Sequence, residues 1–403
     1  MKIGTLTILL PLNYGNALQM LALQRFIEKY GITTALLRRK GRLADDECFR
    51  WHAYCRRSML NRIVFALTCL TFTGKFCAYL REARLLKWLL EHIRFDDAID
   101  LPDGVAAASF PYDKVVVGSD QVWHSKSKEK ELYMLSVFPD TVKRIAYAAS
   151  FDKAAFPVPE LDFYANQFKR FTAVSVRESS SVAMFQERFG FKPAHVCDPT
   201  LLHTRDEWCS ILGIERHRYR EKFNVCYIVS AQGASYYPDL LSIARRTGVP
   251  LHVFAYDCAE IPLRGENVLK VSFKALCMRL RMYFSGIRLH FAATPTEFVQ
   301  RIADCECVFT DSFHGMMFAT IFEKKCNVIV GGDEERQAMQ AKLVDFVSGY
   351  WDDGVLSRRF NPDALGRLMQ KDKLSSFISS SAKWLLQAIG SVDTLQCSQD
   401  YEI

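Results

Sequence analysis

The sequence predicts an α/β fold made of two similar domains, each built on a parallel sheet. Short apolar segments that end in polar residues alternate with amphipathic helical segments along most of the 403 residues. This alternation is typical of βαβ units. It begins twice, once near residue 3 and again near residue 223. The length also suits two domains, since one domain takes about 150 residues.

The first domain is predicted to span residues 1–203 and to open with a buried strand at 3–10. The second domain is predicted to span residues 204–360, and the segment 202–222 is interpreted as a linker helix between the two. Residues 361–403 are expected to form C-terminal helices that pack back on the first domain.

A basic, aromatic and largely helical segment at about residues 40–95 interrupts the alternation. Its longest uncharged run, residues 63–74, is shorter than the ~20 residues that a membrane-spanning helix needs. Two interpretations stay open, because both produce an amphipathic pattern. Residues 50–95 could make peripheral contact with a membrane surface, or the segment could be a helical cap on the first domain.

Composition limits the classes of function. The 52 basic and 45 acidic residues give a net charge of +7. This excess of positive charge is too small to favour nucleic-acid binding. The 13 cysteines are scattered, odd in number and without a CxxC pair. We therefore expect a reducing compartment, with no disulfide framework and no zinc. The apolar start lacks a small-residue cleavage site, so a cytoplasmic protein is expected, with peripheral contact at the inner face of the membrane left open.

The most informative segment is residues 307–322, which is predicted to form a strand, a polar turn and an apolar helix. Asp311 or Ser312 can cap the helix, and Gly315 allows a ligand to approach the backbone. Parallel strands gather such turns at one edge of the sheet, where the start of a helix offers free N–H groups to an anion. His314 is thus predicted beside a phosphate or carboxylate, although a structural crossover with a packed histidine gives the same pattern.

Polar residues also follow the predicted strands of the first domain. Asp120 and Gln121 follow the strand at 114–118, and Arg177 follows the strand at 173–176. An arginine is the side chain best suited to planar pairing with a carboxylate or phosphate. The structural alternatives are that Asp120 caps a helix, that Arg177 pairs with Glu178, and that Asp198 holds a turn with Pro199. These alternatives stay open from the residues alone.

Six segments resemble the polysaccharide pyruvyl transferase family in their order and spacing. They are Asn13 to Gln19, Val117 to Trp123, Tyr147 to Phe151, Ser175 to Glu178, Asp198 to Leu202 and Asp311 to Gly315. The resemblance covers about residues 3–331. It implies a GT-B-like fold, in which two Rossmann-like domains face each other across a cleft and the first domain carries the helical insertion.

The resemblance also implies an activity. Such an enzyme moves pyruvate from phosphoenolpyruvate onto two hydroxyls of a sugar, forms a cyclic ketal and releases phosphate. The acceptor would belong to a precursor of a cell-surface polysaccharide such as capsule or exopolysaccharide, and linkage to a polyprenyl diphosphate is left open. Phosphoenolpyruvate is the donor substrate, and no cofactor or metal is expected.

The site residues follow from the same resemblance. The donor is expected at Arg177, Ser312, Phe313, His314 and Gly315, with Arg177, His314 and Asp120 as the catalytic residues. His314 either transfers a proton or binds phosphate as imidazolium, and Asp120 is a candidate base. The acceptor sugar is expected at Asn13, Asn16, Gln19, Gln121 and Trp123. The structural alternatives are a turn for Asn13 and Asn16, a cap for Gln19 and a core position for Trp123.

Two positions depart from the family pattern. Several members carry arginine and leucine where this chain has Ser312 and Phe313, and many carry glycine where it has Asp152. We expect a lysine or arginine from elsewhere to replace the lost cation, or a different mode of donor binding. Two other functions stay open, a nucleotide-sugar glycosyltransferase of the same architecture and a non-catalytic protein of polymer assembly.

Overall fold

The computed structural model describes residues 1–9, 13–38, 74–96, 110–125, 129–151, 155–215, 217–229, 236–255, 277–330 and 334–390. Within them the chain forms two α/β domains, each around one parallel sheet, as the alternation predicted. The predicted GT-B-like architecture is confirmed, because the domains face each other through helices that follow their central strands.

The first sheet has seven strands in the order β3-β2-β1-β4-β5-β6-β7. Its strands are β1 (Lys2–Leu6), β2 (Thr33–Leu37), β3 (Phe95–Asp96), β4 (Lys114–Val117), β5 (Lys143–Ala149), β6 (Phe171–Val176) and β7 (Ala194–His195). The described helices of this domain are α1 (Tyr14–Glu28), α2 (Gly74–His92), α3 (Lys130–Tyr133), α4 (Leu161–Phe168) and α5 (Ser179–Phe189).

The second sheet has six strands in the order β10-β9-β8-β11-β12-β13. Its strands are β8 (Asn224–Ile228), β9 (Leu251–Ala255), β10 (Ile287–Leu289), β11 (Cys307–Thr310), β12 (Lys325–Ile329) and β13 (Leu356–Ser357). The helices are α6 (Arg205–Leu212), α7 (Tyr237–Thr247), α8 (Pro295–Asp304), α9 (Phe313–Ile321), α10 (Glu334–Tyr350) and α11 (Lys371–Ile389), and residues 277–284 are also helical.

Both sheets reverse their strand order at one point, between β1 and β4 in the first and between β8 and β11 in the second. Ligands of open parallel sheets bind at such a point, beyond the carboxyl ends of the strands. Helix α1 follows β1 and packs against α8 and α9 of the second domain. The two reversal points therefore face each other, and the polar turns that follow β4 and β11 lie at this junction.

An apolar cluster runs without a break from the first domain into the second. Tyr14 in the first turn of α1 stacks on Phe298 of α8 with ring centroids 5.0 Å apart. Trp208 of α6 packs edge-on against Phe318 of α9 at 5.1 Å. Burial of large aromatic rings on both sides of the junction supplies much of the apolar contact that holds the domains together.

Two sequence predictions of element length were wrong. The first strand ends at Leu6 and not at residue 10, because its partner β4 ends at Val117, opposite Leu6. The linker is helical only in α6, over Arg205–Leu212. Gly213 adopts a left-handed conformation with φ of 62°, which ends the helix.

For the described part of the insertion, helix α2 decides between membrane contact and a helical cap. Its buried face carries Leu85 and Leu89, which join the core cluster. Trp88 donates a hydrogen bond from Nε1 to Thr296 Oγ1 of the second domain at 2.9 Å, and Arg84 pairs with Glu297 at 3.1 Å. This helix is therefore a cap that ties the domains together. Residues 40–73 of the predicted insertion lie outside the described residues.

Helix α11 packs on the first domain although it follows the second in the chain. The Ser381 hydroxyl accepts a hydrogen bond from the Cys197 N–H at 2.9 Å, and Trp384 lies 6.2 Å from Tyr147, ring to ring. The Lys114 ammonium donates to the Ile389 carbonyl, the last residue of the helix, at 2.5 Å. In the described part of the chain, no helix combines the length and the apolar character that crossing a membrane requires.

The cap role of α2 makes a prediction about stability. Trp88→Ala should lower the free energy of unfolding by about 3–5 kcal/mol, because it leaves a cavity between the domains. Trp88→Phe should cost only about 1 kcal/mol, mostly for the lost hydrogen bond. Leu90→Ala on the exposed side of the same helix is the control and should stay within about 0.5 kcal/mol of the parent. Urea denaturation measures all three, and equal effects of Trp88→Ala and Leu90→Ala would contradict the cap.

Candidate active site

The first turn of α1 and the first turn of α9 touch each other. Asn13 caps α1 by accepting a hydrogen bond from the Asn16 N–H at 2.8 Å, so the helix begins at Tyr14. A Cβ placed on Gly15 would lie 2.2 Å from Nδ1 of His314. Only glycine leaves room for the imidazole against the backbone of α1, and His314 is held there with 7% of its surface exposed.

Arg177 lies at the carboxyl end of β6, with only 2% of its side chain exposed. Its Nη1 donates to Asp198 Oδ2 at 2.9 Å, and its Nε donates to Glu178 Oε1 at 3.3 Å. The predicted local pair with Glu178 is thus present, together with a stronger pair to Asp198. Arg177 Nη2 is buried and has no hydrogen-bond partner among the described residues. Buried donors are nearly always paired, so this free N–H marks a place where a ligand oxygen can bind.

Asp198 connects Arg177 to His314. Its Oδ1 accepts hydrogen bonds from the Thr200 N–H at 3.0 Å and from the Thr200 hydroxyl at 2.7 Å, so it does hold the turn that the sequence predicted. Its Oδ2 accepts from Arg177 and lies 3.6 Å from Nε2 of His314. Nε2 has no hydrogen-bond partner in the part of the chain that is described. One carboxylate therefore positions the guanidinium and the imidazole side by side.

The charges at this junction hold one another ionised. Burial raises the pKa of Asp198, but its close contact with His314 at 3.6 Å and the charge of Arg177 keep it well below its usual value. Burial lowers the pKa of Arg177, but the carboxylates of Glu178 and Asp198 raise it above its usual value. Removing either member would leave a buried charge without a partner.

Asp120 follows β4 and faces the same group of charges. Its Oδ2 accepts from Asn16 Nδ2 at 3.3 Å, and its Oδ1 accepts from the Gln121 N–H at 2.9 Å. Burial raises its pKa, but the electrostatic influence of Lys342, Arg177 and His314 brings it below its usual value. Asp120 is therefore a carboxylate ion at neutral pH. It starts no helix, so the predicted alternative of a helix cap does not apply.

Lys342 of α10 is a part of the site that sequence reasoning missed. Its ammonium lies 5.8 Å from the centre of the Phe313 ring, and the Arg177 guanidinium lies 4.6 Å from the same ring. Burial and the neighbouring Arg177 cation lower the pKa of Lys342. No carboxylate forms an ion pair with it within the described ranges. A lysine inside a long helix carries no motif, so only the packing of α10 against the cleft reveals it.

A cavity of about 320 Å³ opens beside Arg177 and Lys342. His314 does not line this cavity and is connected to Arg177 through Asp198. The polar side chains around the cavity come from both domains and carry charges of both signs. They are those of Arg177, Glu178, Ser179, His195, Asp198, Lys342, Asp345, Ser348 and Lys373.

The start of α5 at the rim of this cavity is already occupied. Asp345 of α10 accepts hydrogen bonds from the Ser179 N–H at 3.0 Å and from the Ser179 hydroxyl at 2.5 Å. A carboxylate at the positive end of a helix is stabilised by the free N–H groups there. This contact joins the two domains. The cations that line the cavity are Arg177, Lys342 and Lys373, and Lys373 donates to the Gly349 carbonyl at 3.1 Å.

The turn before α9 matches its prediction in part. Ser312 caps the helix, with its hydroxyl accepting from the Gly315 N–H at 3.4 Å. Asp311 instead accepts from the Val229 N–H at 2.8 Å, which joins the ends of β8 and β11. Phe313 covers one face of the Arg177 guanidinium. Lys342 is a cation from elsewhere in the chain that lies near Phe313, so it is a candidate to compensate for the arginine that Ser312 replaces.

The predicted acceptor residues are less accessible than expected. Gln19 is fully buried and donates to Thr7 Oγ1 at 3.2 Å. Trp123 is 5% exposed and donates to the Tyr133 carbonyl at 3.2 Å inside an aromatic cluster, so its ring presents no face to the cleft. Asn16 donates to the Ile8 carbonyl at 2.7 Å. Gln121 is partly buried, and Asp152 lies outside the described residues.

Fold and site together define a two-domain α/β enzyme with a buried cationic centre between its sheets. A sequence model of the family described as polysaccharide pyruvyl transferase matches residues 13–333, most of the chain. The chain belongs to this family. The match includes Arg177, Asp198 and His314.

Solved structures of other enzymes resemble the chain at low identity. The UDP-GlcNAc 2-epimerase from Neisseria meningitidis bound to UDP-GlcNAc is 11% identical, with a TM-score of 0.49 over 96% of this chain and 99% of that chain. The E. coli heptosyltransferase WaaC with ADP is 11% identical, with a TM-score of 0.38 over 84% of this chain and 90% of that chain. Comparison with curated proteins gives no match.

The buried pair of Asp198 and Arg177 predicts how stability depends on pH. Folding lowers the pKa of Asp198. The ionised carboxylate therefore contributes its full share of the free energy of unfolding above about pH 4, and this contribution is lost as the pH falls through the pKa of the folded state. Asp198→Asn should cost about 3 kcal/mol at neutral pH, and its deficit should shrink as the solution is acidified. Urea denaturation at a series of pH values measures this difference.

The control is Asp206→Asn, which changes an exposed carboxylate on α6. It should stay within about 0.5 kcal/mol of the parent at every pH. A deficit for Asp198→Asn that grows on acidification would contradict the assigned direction of the shift.

The close approach at Gly15 makes a second prediction. Gly15→Ala should lower the free energy of unfolding by about 1–3 kcal/mol, because the new methyl group displaces the His314 ring or the start of α1. Gly349→Ala is the matched control, since a Cβ there meets no atom within 4 Å and alanine favours a helix by about 0.5–1 kcal/mol. Thermal denaturation compares the two. Equal and favourable effects would show that His314 is not held against α1.

Proposed function

We propose that this member of the family transfers the pyruvyl group of phosphoenolpyruvate to two hydroxyls of a sugar, forming a cyclic ketal and releasing phosphate. The acceptor is a precursor of a cell-surface polysaccharide. The observation that carries the proposal is a pair of cations at a cavity between the two domains. Arg177 Nη2 has no hydrogen-bond partner, and Lys342 forms no ion pair, among the described residues. Two fixed cations suit a small donor that carries both a carboxylate and a phosphate.

The chemistry needs one proton delivered and two protons removed. A proton adds to the methylene carbon of the donor, and a sugar oxygen forms a bond to the neighbouring carbon. The bond from that carbon to the phosphate oxygen then breaks, and the second sugar oxygen takes the place of phosphate. The two hydroxyl protons balance the proton taken up by the methylene carbon and the proton carried away by phosphate.

His314 and Asp120 divide the proton transfers in this proposal. Nε2 of His314 lies 3.6 Å from Asp198 and has no hydrogen-bond partner among the described residues, so it is the group suited to deliver the proton, and as imidazolium it would also attract phosphate. Asp120 is ionised, as a base must be, but its lowered pKa makes it a weak one. Its hydrogen bond from Asn16 keeps it next to the start of α1, where the sugar hydroxyls would enter.

The acceptor side rests on fewer residues than the donor side. Asn13 and Gln121, which are partly exposed, remain the proposed polar contacts of the sugar, since Asn16, Gln19 and Trp123 are buried. The acceptor would be the sugar of a capsule or exopolysaccharide precursor, carried on a polyprenyl diphosphate at the cytoplasmic face of the membrane. This proposal for the acceptor rests on the resemblance of the six sequence segments to the family.

The test combines an assay with variants of the donor site. Incubation with phosphoenolpyruvate and candidate sugar acceptors should release phosphate and add the mass of a pyruvate ketal, detected by mass spectrometry. His314→Gln should lower kcat by about a hundredfold or more, since it removes a proton donor. Lys342→Met should lower kcat/KM at least about tenfold by removing a charged contact to the donor.

Two controls keep the result interpretable. Lys87→Met removes an exposed lysine on α2 and should leave the rate unchanged. The melting temperature of each variant shows that it is folded. Stabilisation by a UDP-sugar in place of phosphoenolpyruvate would replace the proposal by a glycosyltransferase, and stabilisation by neither would favour a non-catalytic role in polymer assembly.

A further inference from the structure

The helix at residues 277–284 presents large apolar side chains to solvent. Leu280 is 48% exposed, Tyr283 is 58% exposed and Phe284 is 82% exposed. Met282 between them is 3% exposed and belongs to the core of the second domain. The helix is therefore anchored by one face and displays an apolar face that the described part of the chain does not cover.

The stretch of sequence that contains this helix is also rich in positive charge. From residue 267 to residue 296 the sequence contains no Asp or Glu, and its cations are Lys270, Lys274, Arg279, Arg281 and Arg288. Arg281 is exposed on the helix itself. Arg288 lies over the Tyr283 ring, 4.4 Å from its centre, and donates from Nη1 to the Tyr283 carbonyl at 3.0 Å. Apolar and cationic groups thus alternate over one small surface.

We propose that this surface, made of Leu280, Arg281, Tyr283, Phe284 and Arg288, docks the enzyme on an anionic lipid bilayer. Helices that lie in a membrane interface combine exposed aromatic and aliphatic side chains with arginine or lysine. The rings enter the boundary between headgroups and acyl chains, and the arginines pair with lipid phosphates. The five side chains supply both parts of that interaction.

The charge and the aromatic rings of this surface argue against two other partners, a second copy of the chain and a nucleic acid. A second copy of the chain related by a twofold axis would place these arginines against the same arginines. A single-stranded nucleic acid would need open aromatic faces for base stacking, but Arg288 already covers one face of Tyr283 and Leu280 has no ring. An anionic bilayer accepts the arginines and the apolar side chains together.

This surface differs from the one that the sequence predicted for membrane contact. The apolar face of α2 is used in the core and against the second domain, through Leu85, Trp88 and Leu89. The docking surface lies instead on the second domain, outside the basic insertion. The proposal does not depend on the transfer reaction, because it concerns side chains that line neither the cavity nor the charged junction.

The experiment is cosedimentation of the full chain with vesicles. The parent should bind vesicles of phosphatidylglycerol mixed with phosphatidylcholine, and binding should weaken with added salt and vanish on pure phosphatidylcholine. Tyr283→Ser combined with Phe284→Ser should weaken the partition at least about tenfold, because two rings no longer enter the lipid. Arg281→Gln should weaken it about fivefold.

Matched controls and alternative outcomes complete the test. Val158→Ser removes an apolar side chain that is 77% exposed on the first domain, and Arg205→Gln removes an exposed arginine of α6, and both should bind as the parent does. Absence of vesicle binding, or equal binding by the Tyr283 and Phe284 variant, would overturn the proposal. A parent that dimerises, or that binds an oligonucleotide, through these same side chains would assign the surface to that partner instead.

Discussion

The carboxylate of Asp198 is the interaction on which the arrangement of this enzyme depends. It is completely buried, holds its own turn through Thr200, and carries the guanidinium of Arg177 on one oxygen with the imidazole of His314 beside it. Arg177 comes from the first domain and His314 from the second, so this carboxylate also sets how the domains meet. A buried ion pair adds little net stability compared with an apolar pair of the same size, but breaking it is costly. In this enzyme the ion pair fixes the position of the Arg177 guanidinium.

The rest of the structure brings that charge to a place where a ligand can reach it. Both sheets have their reversal point at the domain junction. Helices α1 and α9 begin near those points and pack against each other. Gly15 permits the contact, since any side chain there would collide with His314. Lys342 adds a second cation from a helix late in the chain, and both it and Arg177 lie close to the Phe313 ring. The cleft thus joins contributions from distant parts of the sequence.

Sequence reasoning found the sheets, the domains and the pair of Arg177 and His314, because strand ends and helix caps follow from local patterns. It missed Lys342, since a lysine in a helix has no local signature, and the side on which a helix packs is decided by tertiary contacts. Gln19 and Trp123 stand next to informative residues, but their exposure depends on neighbours such as Thr7 and Tyr133 that the spacing does not reveal. The length of β1 was wrong because the end of its partner determined it.

Helix α11 has a consequence for how the protein is made. It covers β5 and the turn at Cys197, and its side chains Leu385, Leu386 and Ile389 are fully buried against the rest of the core. Domains usually fold in order as they leave the ribosome. Here the first domain lacks part of its covering until residue 389 has been synthesised, long after its own last strand. Part of its apolar surface stays uncovered during that interval, so the first domain completes its core only after the second domain has been synthesised.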